Sequence, residues 1–112
     1  MTKGTQEAKI TSMKPVNWNS DKNMSLKSER GISFEETLVS ISTGGLLDVV
    51  EHPNKERYPN QRIFVIHARG YVHLVPFVET EKEIFLKTII PSRSATRRYI
   101  KEGTSDEKKD KT

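Results

Sequence analysis

RIFVIHARGYVHLVPFVETEKEIFLKTII, residues 62–90, carries the reading that decides the fold. Residues 62–68 are rich in β-branched and aromatic side chains, and Arg69-Gly70 then offers a two-residue reversal. Residues 71–78 make a second strand. Pro76 lacks a ladder donor, which implies an edge position or a bulge. Residues 79–82 turn the chain and residues 83–90 form the last strand, so three strands with short connections predict an antiparallel meander. Alternation sorts the side chains. Phe64, Ile66 and Ala68 oppose Ile63, Val65 and His67. Tyr71, His73, Val75 and Phe77 oppose Val72, Leu74, Pro76 and Val78. Ile84, Leu86, Thr88 and Ile90 oppose Glu83, Phe85, Lys87 and Ile89. One face is expected to be covered core. The other, with aromatics, a histidine and Lys87, suits a half-exposed binding surface.

Upstream, residues 46–51 read as a further strand, and residues 52–61 are a polar turn region containing two prolines. Ser33-Phe-Glu-Glu36 matches a capping box, in which Ser33 accepts a backbone N–H and Glu36 reaches back to the Ser33 N–H. Phe34, Leu38 and Ile41 follow at helical spacing until Thr43-Gly44-Gly45. This glycine pair lacks the lysine and hydroxyl of a phosphate loop and reads as a helix stop. An earlier helix spans residues 21–30, capped by Asn19 or Ser20 and ended by Gly31, with Trp18, Lys22, Leu26 and Arg30 on one face. Pro15 to Trp18 is a short extended piece. Two helices followed by a run of strands predict an α+β domain with the helices on one sheet face.

The chain has 112 residues, enough for one domain. Only 33% are hydrophobic, and the deficit lies at the ends. Residues 1–14 and 103–112 are expected to be disordered tails around a single domain at residues 15–102. A net charge of +4 points to an anionic partner, nucleic acid or an acidic protein segment. No cysteine is present, which excludes disulfides and thiolate metal sites. His52, Glu56 and His67 have no recognisable metal spacing, so neither metal nor cofactor is expected. Without a membrane-spanning run or signal core, the expected location is cytoplasmic.

Trp18-x3-Lys22-x8-Gly31-Ile-Ser-Phe-Glu-Glu36 resembles the N-terminal signature of the BrnT family of bacterial toxins. Ile89-Ile-Pro-Ser-Arg93-Ser-Ala-Thr96, followed by Arg97-Arg98, resembles that family's C-terminal signature, and Arg62 at a strand start matches as well. The resemblance implies a RelE-like fold: two N-terminal helices packed on a twisted antiparallel sheet, here with a short C-terminal helical segment. It also implies a ribonuclease that suppresses translation. Its cognate antitoxin is typically of ribbon-helix-helix type, and operator DNA is reached only through that antitoxin. Three positions differ from the pattern: Tyr99 stands where a glutamate is common, Thr88 where an arginine is common, and Phe77 where a histidine is common.

Metal-free RNA cleavage needs a base, an acid and cations for the charge building on phosphorus. Arg93 and Lys87 are the leading catalytic candidates, joined by His67 and Tyr99. Arg62, Arg97, Arg98 and His73 are candidates for holding RNA phosphates. Plainer readings stand beside these: a surface arginine at a helix start, a solvated outer lysine, structural strand histidines, and a tyrosine anchoring the C-terminal segment. The leading expectation is a metal-independent endoribonuclease toxin. The alternatives are a catalytically weak module that binds antitoxin or nucleic acid, and a nucleic-acid adaptor.

Overall fold

In the computed structural model, which describes residues 14–101, β1 (Val16–Trp18) leads into α1 (Ser20–Arg30) and α2 (Phe34–Ser42). Then come β2 (Leu46–Glu51), β3 (Gln61–Ala68), β4 (Tyr71–Glu79), β5 (Ile84–Leu86) and β6 (Ile90–Pro91). Helix α3 (Arg93–Thr96) passes directly into π-helical backbone over Arg97–Lys101. The expected tails, residues 1–14 and 103–112, lie outside the described residues apart from Lys14. Lys14, assigned to the first tail, instead pairs with Glu79 at 2.8 Å and donates to the Thr80 carbonyl at 2.7 Å.

The sheet order is β1-β5-β4-β3-β2, with β6 also on β4. The strands from β2 to β5 form the expected antiparallel meander. The sheet as a whole is mixed rather than antiparallel, because β1 lies parallel to β5. Three residues after a proline carry too little pattern to announce a strand. What fixes β1 is long-range: the Ile84 N–H donates to the Pro15 carbonyl at 2.9 Å, and Asn17 donates to Glu83 at 2.7 Å. At the β3–β4 turn, Arg69 (φ 59°) and Gly70 (φ 75°) both enter the left-handed region, as a two-residue turn of primed type requires.

The last strand also differs from its expected course. Phe77 pairs with Leu86, and Leu74 pairs with Ile90. Lys87, Thr88 and Ile89 therefore oppose only Val75 and Pro76, a one-residue bulge. Pro76 sits inside the sheet, pairing with Ile63 of β3 while its carbonyl accepts the Lys87 N–H at 2.8 Å. The bulge reverses the alternation beyond it. Ile84, Leu86 and Ile89 are buried, whereas Ile90, expected alongside the first two, is exposed.

Both helix starts are built by side chains. Asn19 Oδ1 accepts the Lys22 N–H at 2.9 Å, and Ser33 Oγ accepts the Glu36 N–H at 3.1 Å. The other half of the capping box is not used, because Glu36 turns to Arg69 in a two-pronged pair. Asn23, buried within α1, reaches across instead. Its Oδ1 accepts the Phe34 N–H at 2.7 Å, and its Nδ2 donates to Glu35 at 2.8 Å. That hydrogen bond holds the Glu35 carboxyl below its ordinary pKa. Gly31 ends α1 in the left-handed region, its N–H donating to the Lys27 carbonyl at 3.1 Å.

The helices cover one face of the sheet. Leu26, Ile32 and Phe34 pack on Ile66, Ala68, Val75, Phe77, Leu86 and Ile89, with Trp18, Leu38, Ile41 and Phe64 at the margin. Trp18 stacks on Phe34 at 5.5 Å between ring centroids, and Phe64 on Phe77 at 3.9 Å. Full burial of side chains of this size contributes about 1.5–3 kcal/mol each. Gly45 allows α2 to close on β3: a Cβ there would lie 2.8 Å from the His67 carbonyl and 2.9 Å from that of Ser40.

The face opposite the helices is partly closed, and the C-terminal segment pairs along the edge of β4 beside it. Ser92 N–H donates to the Val72 carbonyl at 3.0 Å, and Thr96 Oγ1 accepts the Val72 N–H at 2.8 Å. Two groups of the C-terminal segment thus satisfy both backbone atoms of Val72, as a neighbouring strand would. Tyr99 Oη donates to Asp48 of β2 at 3.0 Å. Val65 and Val72, on this face, are buried.

Candidate functional site

Two clefts of about 450 Å³ each open at separated places on the molecule. The first is lined by Glu51, Lys55, Pro59, Asn60, Gln61, Arg62 and Glu79. Its cations are already paired: Arg62 meets Glu79, and Lys55 meets Glu51 at 2.7 Å. Arg62 also lies over the Phe77 ring, 5.2 Å from the centroid. A phosphate entering here meets two carboxylates as well as two cations.

The second cleft lies at the β3–β4 turn and is lined by Gly70, Tyr71, Arg93, Thr96, Arg97 and Ile100. Its cations differ from those of the first. Among the described residues, neither Arg93 nor Arg97 forms an ion pair, and no carboxylate lines the cleft. The local sequence explains the placement. Pro91 closes β6, and Ser92 Oγ caps α3 by accepting the Ala95 N–H at 3.1 Å. Thr96 Oγ1 donates to the Ser92 carbonyl at 2.7 Å while holding Val72. Ser92 and Thr96, both within the C-terminal signature, are therefore clips that fasten the segment to β4. Arg93 and Arg97, four residues apart, share one side of it.

The remaining candidates do not gather at this cleft. Lys87 is exposed, its Nζ 5.9 Å from the Phe85 ring centroid. Its backbone meets Pro76, four residues along β4 from Val72 where the C-terminal segment is fastened, a span of roughly 13 Å. Arg62 pairs across from Phe77, six residues from Tyr71 and roughly 20 Å away along the strand. Arg98 lies over the Tyr99 ring at 5.9 Å.

The histidines lie on adjacent strands, as expected, and face opposite sides of the sheet. His67 pairs across from Val72 and is exposed, with its backbone N–H donating to the Gly45 carbonyl and its carbonyl accepting from Ser40 Oγ, both at 2.7 Å. His73 pairs across from Ile66 and is 7% exposed on the helix side. Alternation carries His73, a sequence candidate for phosphate binding, to the core side with Ile66. Its Nδ1 has no hydrogen-bond partner among the described residues, and burial pushes its pKa below the ordinary histidine value. Tyr99 is half-buried. Burial, then its bond to Asp48 and that carboxylate's charge, hold its hydroxyl above the ordinary tyrosine value, so the proton stays on. That geometry is the anchoring one.

Tyr71 escaped sequence reasoning. Its signal was position: an aromatic residue directly after the Arg69-Gly70 turn, placed by the hairpin in the lining of the cleft that Arg93 and Arg97 share. Among the described residues, no group of three or more His, Cys, Asp or Glu stands close enough to hold a metal ion, and no helix is long and apolar enough to cross a membrane. Comparison with known proteins finds no matching family model, no matching curated protein and no matching solved structure.

Proposed function

We propose that this chain is the toxin of a bacterial toxin–antitoxin pair, a RelE-like endoribonuclease of BrnT type that needs no metal and is neutralised by a ribbon-helix-helix antitoxin. The observation that carries the reading is the pair of arginines, Arg93 and Arg97, opening onto one cleft without a counter-ion among the described residues. In RNA cleavage the 2′-oxygen attacks the adjacent phosphorus and the 5′-oxygen leaves. Negative charge builds on the phosphoryl oxygens, where two guanidinium groups stabilise it. The two matched signatures and the order of two helices before the meander support the family reading. RNA incubated with the purified chain in EDTA is the test, alongside growth of cells expressing it. Degradation and arrested growth are expected, and both are expected to fail with Arg93→Ala.

A second reading, a module that binds antitoxin or nucleic acid with little catalysis, is favoured by a separate observation. The titratable candidates do not line the cleft with the arginines: His73 is buried, and the Tyr99 hydroxyl is committed to Asp48. Under this reading the chain binds RNA in a salt-dependent way and leaves it uncut.

A further inference from the structure

We infer that the cleft at the β3–β4 turn is a subsite for one nucleotide unit, with its phosphate on Arg93 and Arg97 and its base on the ring of Tyr71. This rests on the ribonuclease reading for its biological role, but its physical basis is independent of cleavage. The cleft volume, about 450 Å³, lies within the range of small-ligand clefts, about 300–1,000 Å³. Its lining joins two chemistries. Arg93 and Arg97 come from the C-terminal segment. Tyr71 comes from the start of β4, its ring edge-on to His73 at 6.0 Å between centroids. A guanidinium binds phosphate through paired N–H groups, and two of them four residues apart repel each other until an anion enters. An aromatic face accepts any base by stacking.

The rest of the cleft is consistent with that pairing. The Thr96 hydroxyl is consumed by Val72 and Ser92, so it orients the wall rather than the ligand. A Cβ at Gly70 would meet nothing within 4 Å, so the rim beside Tyr71 is open. The other cleft has the same volume and also holds an arginine and a lysine, yet Glu79 and Glu51 occupy them. Size alone does not separate the two; unopposed positive charge beside an aromatic ring does.

Calorimetry on the full chain with three probes, adenosine 5′-monophosphate, adenosine and inorganic phosphate, tests the assignment, with amide NMR shifts to locate binding. The monophosphate is expected to bind more tightly than either fragment and to shift Gly70, Tyr71, Arg93 and Arg97. Arg97→Ala should weaken the monophosphate and phosphate but leave adenosine unchanged. Tyr71→Leu should weaken the monophosphate and adenosine about tenfold and leave phosphate unchanged, while Tyr71→Phe retains all three. Arg97 is exposed, so its variant is readable even if Tyr71→Leu loosens the strand. A monophosphate that binds no better than phosphate, or shifts confined to other surfaces, would overturn the subsite. Nucleotide binding as described with RNA left intact sinks the ribonuclease and keeps the subsite. RNA cleavage with an unchanged KM in Tyr71→Leu does the reverse.

Discussion

Asn23 is a polar side chain in the core whose loss the fold should feel. It is 6% exposed and closes the Phe34 N–H at the start of α2. Asn23→Ala leaves that donor buried without a partner and should lower unfolding free energy by about 1–2 kcal/mol in urea titration. Asn23→Asp should fall between the two, because it still accepts from Phe34 but repels Glu35. His73 predicts a pH dependence. Its folded pKa is depressed, so as pH falls below about 6.5 the unfolded chain takes up the proton first. Its contribution is whole above that value and is lost as pH drops toward the folded pKa. The charges that act on it are Glu36 of α2, which favours the proton, and Arg69 and, through the sheet, His67, which oppose it. Between about pH 7.5 and about pH 5.5, wild type should lose more stability than His73→Leu. Equal losses in both would show that His73 is not the titrating group. Neither residue's role was legible beforehand: Asn23 acts through α2, eleven residues on, and the side of His73 depended on which face the helices chose.

Among the elements, the local signals were the legible ones. The Asn19 and Ser33 caps, the Gly31 stop, the Arg69-Gly70 turn and the meander all act within a few residues, where sequence patterns are written. The parallel β1 and the bulge opposite Pro76 depend on strands far apart in sequence. Pro76 did announce an irregularity, and of the two forms it allowed, the bulge is the one adopted. The irregularity lies between β5 and β6 and reverses which face Ile89 and Ile90 take, so strict alternation failed there. The C-terminal segment makes its own prediction. Thr96 Oγ1 accepts the Val72 N–H, a bond that Val at this position cannot make while keeping nearly the same volume. Thr96→Val should cost about 1–3 kcal/mol and speed hydrogen exchange at the Val72 amide. Exchange as slow as in wild type would mean the segment is held by its other contacts, Ser92 and Tyr99, without Thr96.

Across the whole molecule, composition reported a net charge of +4 but not where positive charge is available. Pairing decides that. Lys14, Lys55, Arg62 and Arg69 are each matched by a carboxylate, whereas among the described residues Arg93 and Arg97, like Lys87 and Arg98, form no ion pair. The candidate set read from sequence therefore separates. Arg93 and Arg97 share a cleft, Lys87 and Arg62 lie elsewhere, and His73 is internal. Cleavage at that cleft is the central claim, and the rate of RNA degradation in EDTA, compared between wild type and Arg93→Ala, tests it most directly. Metal-free cleavage by wild type is expected, with a loss of about 100-fold or more in Arg93→Ala at unchanged folding and Lys55→Ala cutting as wild type does. RNA left intact by the wild-type chain, or cut equally fast by Arg93→Ala, would contradict it.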